Sequence, residues 1–521
     1  MPNLVPDRPP AEVFNYWCTW SSQSRMRDAE AAPAPGQRAI NAKIVQMRAM
    51  LSEDFLFGRL GMLTNYFQGI RGDLIVVLDD GWDVPAIDHQ TPPRFFDPFG
   101  SLVLFAERFP SFAVPGHPEE SLKRLGDKIK SLGYRGLGLW VSPQVPRTDH
   151  DREATWEEAQ AHWDERARWA AYADIKVWKI DWGYHDSDPA YRRMMTEAAR
   201  RHAPGLLVEH ALVQGPVNVP PEKRPGAAEA IAKRDKKIAG VLPLCDLFRT
   251  YDIIEDFRHV TTLARVAEVL RLKSAPLRPD LRGIINIENE MYIGASLGCS
   301  LGIMKHAAWL DHRPDFLPPP DTAYDAVTRA VRWQRIMPPF SIYASEDKIA
   351  ADNLVDEEDL HQTAWPNINE LWHEDAPAAI ARNAEIPQAF DAGAGVPFLT
   401  AARHPNGAYA LAAHPRTLGA DKINFLPAAD VRADRISPDS PIGIFGEYAT
   451  LTLKFTAPVG GKKIWAQDLL DDEARDITSR VRLSGDTLTI PGQVIHEIGL
   501  RGRTRPDDTS APGLVMALKD A

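Results

Sequence analysis

The sequence has little cysteine. Only three cysteines occur among 521 residues, at positions 18, 245 and 299, and an odd, sparse set argues against a disulfide framework. The N-terminal residues also lack the basic segment and apolar stretch of a secretory signal peptide. We therefore expect a protein of the reducing cytoplasm.

Long apolar runs and an excess of positive charge are absent as well. No run reaches the roughly 18 apolar residues that indicate a membrane-spanning helix, so no membrane partner is predicted. Asp and Glu number 71 against 60 Lys and Arg, which gives a net charge of -11. Because nucleic acids are bound mainly through neutralisation of their phosphates, this balance excludes them as expected partners.

The motif spacings of zinc proteases, structural zinc sites and nucleotide phosphate loops are also missing. We therefore predict neither a cofactor nor a metal. The run from His185 to Asp188 has metal-ligating residue types, but a solvated loop is the simpler interpretation.

What is present is the pattern of an α/β protein. Short apolar runs alternate with amphipathic helical stretches up to about residue 310, as parallel strands do when helices cover both faces of the sheet. The clearest runs are Leu74–Leu78, Gly136–Val141, Ile175–Ile180 and Leu206–Val208. The pattern predicts a (β/α)8 TIM barrel over residues 1–394, with long loops at 215–240 and 312–321. We interpret the first loop as a lid.

The pattern changes after about residue 395. Short strands follow one another with turn signals at Asn406-Gly407 and Gly485-Asp486. Such spacing predicts a C-terminal antiparallel β-sandwich over residues 395–521.

Several predicted strands end in a carboxylate, and barrel active sites lie at the C-terminal ends of strands. Glycosidic bond cleavage needs two carboxyl groups that flank one bond. Asp181 suits the nucleophile, because Lys179 points the same way on an extended strand and would keep it ionised. Asp252, in a polar loop after Arg249, suits the general acid/base, with Asp256 close enough to compete for this role.

Each of these residues also has a simpler explanation. An acidic residue at a strand end is more often a solvated turn or a helix cap, and Trp82 is as readily a packing residue as a stacking platform. The combination of several such strand ends favours an active site. Asp79 and Asp80, which follow another strand, would accept hydrogen bonds from the hydroxyls of a sugar.

The ordered motifs resemble the melibiase group, the clan D glycoside hydrolases of families 27 and 36, whose members are mainly α-galactosidases. The resemblance covers most of the chain, through the segments Asn15–Ser22, Asp79–Trp82, Phe109–Trp140, Lys179–Asp181 and Arg249–Ile253. It implies a retaining hydrolase that cleaves terminal α-galactosyl residues from a glycoside or oligosaccharide by double displacement, with Asp181 as nucleophile and Asp252 as acid/base. Association into a homo-oligomer stays open.

The resemblance also implies a substrate site. It comprises Asp79, Asp80, Trp82, Trp20, Lys179, Glu209, His210, Arg249 and Asp256. Two departures from the group occur: Arg249 precedes Asp252 by three residues instead of the usual four, and Val208-Glu209-His210 replaces a Cys-Glu-Trp-like segment. Because they affect the sugar more than the chemistry, a β-L-arabinopyranoside, an α-N-acetylgalactosaminide or an α-glucoside are alternative substrates.

Two other functions compete with a glycosidase. Gly294–Gly298 fits the G-x-S-x-G pattern of an esterase with Ser296 as nucleophile, if a strand, a sharp turn and a helix surround it. A non-catalytic carbohydrate-binding protein on a decayed barrel would be expected to lose one of the two aspartates, and the sequence has both.

Overall fold

The chain begins with a closed barrel of eight parallel strands. The computed structural model describes residues 3–26, 39–59, 61–84, 97–147, 152–211, 227–249, 259–273, 276–288, 290–304, 323–362, 369–390, 396–418, 423–425 and 429–520. The barrel strands are β1 (Tyr16–Cys18), β2 (Ile75–Leu78), β3 (Gly136–Val141), β4 (Val177–Ile180), β5 (Leu207–Ala211), β6 (Leu247–Arg249), β7 (Ile284–Glu288) and β8 (Ser300–Ile303). Strand β1 pairs with both β2 and β8, which closes the ring and confirms the predicted barrel.

Ten helices lie between the barrel strands in the described part of the chain. Four of them precede β2, namely α1 (Trp20–Met26), α2 (Ala39–Met50), α3 (Glu53–Phe57) and α4 (Met62–Asn65), and one then follows each strand up to β7: α5 (Pro118–Ser131), α6 (Trp156–Tyr172), α7 (Pro189–His202), α8 (Ala227–Val241), α9 (His259–Leu272) and α10 (Met291–Leu297). Helix α11 (Tyr324–Trp333) follows β8, and α12 (Gly492–Gly499) lies in the C-terminal part of the chain. Helix α6 begins with a capping box, in which Thr155 and Glu158 bond each other's backbone N–H groups.

Two long loops, 215–240 and 312–321, were predicted within the barrel sequence, and the structure describes part of the first one only. From residue 227 onward, the stretch predicted as a lid is helix α8, which lies between β5 and β6 as an ordinary barrel helix does. Its basic and alanine-rich sequence is compatible with a helix, so a loop was the wrong interpretation there. Residues 215–226 and the second predicted loop, 312–321, lie outside the described residues.

The inside of the barrel is layered. Its deeper part is apolar, with Ile75, Val177, Leu207, Leu247 and Ile284 in one cluster. Above them, toward the C-terminal ends of the strands, the inward side chains become polar. The barrel interior is therefore a packed apolar core below and a layer of buried polar side chains above.

Two facing sheets form the C-terminal part. Their strands and two small hairpins comprise β9 (Asp347–Ile349), β10 (Leu354–Gln362), β11 (Asn369–Pro377), β12 (Ala379–Arg382), β13 (Gln388–Phe390), β14 (Phe398–Arg403), β15 (Tyr409–His414), β16 (Arg416–Leu418), β17 (Ile423–Phe425), β18 (Asp430–Ile436), β19 (Ile442–Phe445), β20 (Thr450–Phe455), β21 (Lys462–Asp468), β22 (Arg475–Asp476), β23 (Arg482–Ser484), β24 (Thr487–Pro491) and β25 (Gly513–Asp520). One sheet has eight strands in the order β22-β21-β25-β19-β15-β14-β12-β9, and the other has five in the order β13-β18-β20-β24-β23.

The predicted β-sandwich is present, with a mixed rather than purely antiparallel pattern. Parallel pairs join β12 to β14, β15 to β19 and β18 to β20. The predicted turn glycines Gly407 and Gly485 adopt φ angles of 96° and 62°, which glycine reaches without strain. Between the sheets lies an apolar core that includes Leu411, Ile444 and Leu453.

The larger sheet crosses the predicted domain boundary at residues 394 and 395. Strands β9 and β12 precede that boundary, yet β12 pairs with β9 on one side and with β14 on the other. The sandwich therefore uses residues from 347 onward. A buried bidentate ion pair between Arg329 of α11 and Asp468 of β21, at 2.9 and 3.0 Å, joins the barrel to the sandwich.

None of the helices in the described ranges is long and apolar enough to cross a membrane.

Candidate active site

The upper layer of the barrel gathers six buried ionisable side chains. They come from the C-terminal ends of five strands and are Asp79, Lys179, Asp181, Glu209, Arg249 and Glu288. None is more than 4% exposed. Five of the six were predicted from the sequence, and the structure brings those five together.

Lys179 and Asp79 form the ion pair on one side of this layer. The Lys179 ammonium donates to Asp79 Oδ2 at 2.6 Å, and the Cys18 thiol donates to the same oxygen at 2.9 Å. Burial and the charge of Arg249 lower the pKa of Lys179, but the Asp79 carboxylate outweighs them and holds it above the ordinary value. Lys179 is therefore a permanent cation at the centre of the barrel.

Asp181 follows β4 directly and lies between an indole and a guanidinium. The Trp140 N–H donates to Asp181 Oδ2 at 3.0 Å. Arg249 Nη2 approaches Asp181 Oδ1 to 2.7 Å, without the alignment of a hydrogen bond. Burial raises the pKa of Asp181, but Arg249 and Lys179 outweigh that effect and hold the pKa below its ordinary value. The carboxylate is thus ionised at neutral pH, as a nucleophile must be.

Glu209 occupies the opposite wall. The Tyr16 hydroxyl donates to its Oε1 at 3.0 Å, and the Asn286 amide donates to its Oε2 at 2.5 Å. Burial raises the pKa of Glu209, against the lowering effect of Arg249 and these hydrogen bonds. Gly302 on β8 leaves room for this arrangement, because a Cβ there would lie 2.9 Å from both the Tyr16 hydroxyl and the Asn286 amide oxygen.

Arg249 joins two carboxylates. Besides Asp181 it contacts Glu288, whose Oε1 lies 3.4 Å from Arg249 Nη1. Glu288 ends β7 and is completely buried. The guanidinium therefore fixes the ends of β4, β6 and β7 relative to one another.

Asp80 bonds to a helix side chain, whereas Asp79 bonds to Lys179 inside the barrel. Its two oxygens accept hydrogen bonds from Arg48 of α2, each at 2.8 Å. Burial raises the pKa of Asp80, and Arg48 partly offsets this effect. An Asp with both oxygens in a bidentate pair is a structural support for the loop after β2, and any hydroxyl would have to share those oxygens.

The two predicted stacking tryptophans are both buried. Trp82 is 0% exposed and donates its indole N–H to the backbone oxygen of Trp140 at 2.9 Å. Trp20 is 8% exposed and belongs to the same apolar cluster as Val77 and Met47. In this structure both rings pack against protein and neither presents an open face to a sugar.

His210 lies outside the cluster. Successive side chains of a strand alternate between faces, so Glu209 points into the barrel and His210 points toward α7. Its ring contacts Arg192 at 3.2 Å and Thr196 at 2.8 Å, both on that helix. Burial and the charge of Arg192 hold its pKa well below the ordinary value. His210 is therefore a neutral packing residue, in contrast to its predicted place in the substrate site.

Arg192 supports the backbone at Asp181 from the side of α7. Its guanidinium donates to the backbone oxygens of Ile180 at 3.0 Å, and of Asp181 and Ala211 at 2.7 Å each. It is completely buried. This helix side chain thus holds the ends of β4 and β5 at the height where the carboxylates meet.

Asp252 and Asp256 lie outside the described residues, which stop at Arg249 and resume at His259. Their roles therefore stay predictions. They belong to the segment between β6 and α9, and Arg249, the last residue of β6, touches Asp181. That segment starts beside the predicted nucleophile.

The sequence interpretation missed several polar side chains of the site. They are Tyr16, Cys18, Trp140, Asn286 and Glu288. The signal for two of them was present in Ile285-Asn286-Ile287-Glu288, where polar and apolar residues alternate as a half-polar strand requires. In a barrel, that alternation places Asn286 and Glu288 inside.

Ser296 does not form the site of an esterase. It lies within α10, is 0% exposed, and donates its hydroxyl to the backbone oxygen of Tyr292 at 2.6 Å. A nucleophile elbow places its serine at an exposed turn between strand and helix. The esterase alternative is therefore wrong on geometry.

No group of three or more His, Cys, Asp or Glu side chains within the described ranges is placed to hold a metal ion. Within the run from His185 to Asp188, the Asp188 carboxylate caps α7 by accepting from the N–H groups of Ala190 and Tyr191. The His185 ring stacks on Tyr191.

Comparison with known proteins gives structural likeness alone. No family model matches the chain and no curated protein matches its sequence. A β-L-arabinopyranosidase of glycoside hydrolase family 27 from Geobacillus stearothermophilus is 11% identical over 97% of both chains, with a TM-score of 0.42. An α-galactosidase from Saccharomyces cerevisiae is 9% identical over 98% of this chain and 95% of its own, with a TM-score of 0.38. A glucosidase from Croceicoccus marinus is 11% identical over 99% and 96%, with a TM-score of 0.33. Similarity at this level assigns neither residue roles nor a substrate.

Proposed function

We propose that this chain is a retaining glycoside hydrolase that acts on terminal α-galactosyl or closely related residues. The observation that carries the proposal is the environment of Asp181. A buried carboxylate at the C-terminal end of a barrel strand is kept ionised by two cations and oriented by an indole N–H. Such a group suits attack on an anomeric carbon.

The charge of the site supports the same chemistry. Four carboxyl groups, Asp79, Asp181, Glu209 and Glu288, face two cations, Lys179 and Arg249. Glycoside cleavage proceeds through an oxocarbenium-like transition state, which carries positive charge on the sugar. The ionised Asp181 carboxylate is negative charge preorganised at the site, and it stabilises that state more than the neutral substrate.

The proposed reaction has two steps. Asp181 forms a bond to the anomeric carbon while the bond to the leaving oxygen breaks, and Asp252 gives that oxygen its proton. Asp252 then takes a proton from water, which attacks the same carbon and releases Asp181, so the configuration is retained. The Asp79 carboxylate, held by Lys179 and Cys18, is our choice for binding the far hydroxyls of the sugar.

Azide rescue tests the two aspartates separately. With an activated aryl galactoside, Asp181→Ala should lose hydrolysis and form the inverted glycosyl azide when azide is added. Asp252→Ala should form the retained azide, because the glycosyl intermediate still accumulates. Asp256→Ala is the matched control and should need no rescue. If Asp256→Ala behaves as predicted for Asp252, the acid/base role moves to Asp256, and if Asp181→Ala keeps most of its rate the nucleophile is wrong.

The distance between the carboxyl groups of Asp181 and Asp252 gives an independent measurement. Retaining enzymes hold their two carboxyl groups about 5 to 5.5 Å apart, whereas inverting enzymes need about 6.5 to 9.5 Å to admit water. A separation in the longer range would reject the retaining mechanism.

A substrate panel tests the sugar. Aryl α-D-galactoside, β-L-arabinopyranoside, α-N-acetylgalactosaminide and α-glucoside should be compared by kcat/KM under one set of conditions. We expect the galactoside to be the preferred substrate. Preference for another sugar in the panel would keep the mechanism and change the specificity, and hydrolysis of none would reject the proposed function.

A further inference from the structure

A cleft on the sandwich, remote in sequence from the barrel cluster, has the features of a second binding site. Its volume is about 630 Å³, which is within the range of small-molecule sites. It lies where the outer face of the five-stranded sheet meets β9 and the segment before β13, and Ile386 and Gln388 contribute to its wall.

The charges of the cleft differ from those of the whole chain. Four cations line it, Lys348, Arg432, Arg435 and Lys454, against two carboxylates, Glu385 and Asp434. The chain as a whole has a net charge of -11. An excess of positively charged side chains in the cleft of an otherwise acidic protein attracts anions to the cleft more than to the rest of the surface.

The two carboxylates are already paired. Lys348 contacts Glu385 at 2.8 Å and Arg432 contacts Asp434 at 2.9 Å. Arg435 and Lys454 are exposed and make no ion pair within 4.0 Å of a carboxylate in the part of the chain that the structure describes. Lys348 and, at longer range, Arg435 lower the pKa of Glu385, and both exposed cations can still approach a ligand.

A β-bulge brings Arg435 to the cleft. Val431, Ala433 and Ile436 of β18 are buried on the inner face, and the register with β20 shifts between Ala433 and Ile436. Without that extra residue, strict alternation would turn Arg435 into the apolar core. The bulge leaves Arg435 at a φ of 61°, an unfavourable angle for this residue type, and places it outside beside Asp434.

We propose that this cleft binds an oligosaccharide that carries carboxylate groups. Arg435 and Lys454 pair with a carboxylate of the ligand, while Gln388, Asp434 and Glu385 bond its hydroxyls. A simple anion could pair with Arg435 and Lys454 but has no hydroxyls for Gln388 and the two carboxylates to bond, so it would fill only part of the cleft. A nucleic acid fits less well, since the ring of Phe455 in the lining is buried and cannot stack on a base.

Calorimetry on the full chain tests this proposal, with trigalacturonate as the probe, at low ionic strength. The neutral galactose trisaccharide is the control for charge, and inorganic phosphate is the control for a simple anion. We expect trigalacturonate to bind, the neutral sugar to bind at least about tenfold more weakly, and added salt to weaken binding. Binding is measured on the full chain with Asp181→Ala, in which we expect neither trisaccharide to be turned over, so the result is independent of the proposed hydrolase activity.

Variants locate the site. Arg435→Asn with Lys454→Ala should lower the association constant about tenfold or more, and asparagine tolerates the positive φ. Lys463→Ala removes an exposed lysine from a strand of the other sheet and should change nothing. The double variant should hydrolyse aryl glycosides as the unaltered chain does, and thermal unfolding should show that it is folded.

Three results would overturn the proposal: no binding of trigalacturonate, equal binding of the neutral trisaccharide, or displacement of trigalacturonate by phosphate at equal concentration. Equal affinity of the double variant and Lys463→Ala would place the site elsewhere and overturn the proposal as well.

Discussion

The interiors of the barrel and of the sandwich differ in the chemistry of the side chains that they bury. The sandwich core consists of apolar side chains such as Leu411, Leu453 and Ile464. The upper half of the barrel interior instead buries six ionisable groups, each at most 4% exposed. Both interiors exclude water to a similar extent, so the difference lies in what is buried.

Buried ion pairs are poor contributors to stability. Removing two charges from water costs about as much as their attraction returns, and well-packed apolar replacements are often neutral or stabilising. Apolar replacement of the whole charged layer would therefore still leave a core, in the apolar layer beneath it and in the helices packed outside, whereas removal of one partner leaves a buried charge unpaired and destabilises the fold. The comparison predicts that changes in the sandwich core affect stability alone, whereas changes in the charged layer of the barrel affect activity as well.

Loss of the Asp181 charge should have the largest effect. We expect Asp181→Asn to lower kcat/KM for an aryl galactoside roughly 10⁴-fold or more, since the proposed nucleophile is lost. The matched control is Asp468→Asn, which removes another buried carboxylate from a pair with arginine but lies at the contact between barrel and sandwich. An equal loss of activity in Asp468→Asn would contradict the separation of the two regions.

Loss of Arg249 should affect both stability and the pH profile. Arg249→Met leaves the buried Asp181 and Glu288 without this cation, so we expect the free energy of unfolding to fall by about 3–5 kcal/mol. Because Arg249 lowers the pKa of Asp181, its removal raises that pKa and moves the acid limb of the kcat/KM profile to higher pH. Urea unfolding and a pH profile measure the two effects.

Arg329→Met is the control for Arg249→Met. It should also lower the free energy of unfolding, because Asp468 loses its buried partner, but it should leave the acid limb where it is. A shift of the acid limb in this control would show that general destabilisation, and not the charge beside Asp181, controls the profile.

A cavity in the sandwich core should lower the free energy of unfolding and leave the catalytic activity unchanged. Leu453 is fully buried between the sheets, so Leu453→Ala should lower the free energy of unfolding by about 2–5 kcal/mol. At 25 °C the kcat/KM should stay the same. Thr452→Ala, on the outer face of the same strand, is the control and should change the free energy by less than about 0.5 kcal/mol.

The smallest effect, per unit of pH, concerns Asp83, beside the barrel mouth. Burial raises its pKa from 3.8 to about 7, so the folded state holds a proton that the unfolded state releases in this range. The contribution of Asp83 to the free energy of unfolding is fully present below pH 3.8 and is lost as the pH rises to about 7. Over this range the free energy of unfolding falls by at most about 1.4 kcal/mol per pH unit. Asp83→Asn should reduce that slope in urea unfolding between pH 5 and 7.5. An unchanged slope would assign it to other groups.

The sequence predicted the convergence of Asp79, Lys179, Asp181, Glu209 and Arg249 because barrel geometry brings strand ends together. The same rule of alternation separates Glu209 from His210, which the sequence interpretation had placed in one site. Local pattern also could not identify the partner of Asp80. Arg48 comes from a helix 32 residues earlier in the chain, and no short-range signal connects the two.

The sequence also predicted the two architectures of the fold, but not the boundary between them. Apolar runs between amphipathic helices identify the barrel, and turn glycines identify the sandwich. The start of the sandwich was not predictable in this way, because β9 and β12 are short and pair with strands that come later in the sequence. Pairing across distance is decided by tertiary packing, which a local pattern does not contain.

The closure of the barrel has a consequence for how the chain folds. The first strand completes the ring against the eighth, and the backbone oxygen of Phe14 accepts a hydrogen bond from the Ser300 hydroxyl, 286 positions away. During synthesis, the edge of β1 that pairs with β8 stays unpaired until β8 has left the ribosome. Contacts of such long range slow folding and expose strand edges to other chains in the meantime. The step that closes the barrel is therefore also the step at which a growing chain most needs protection from aggregation.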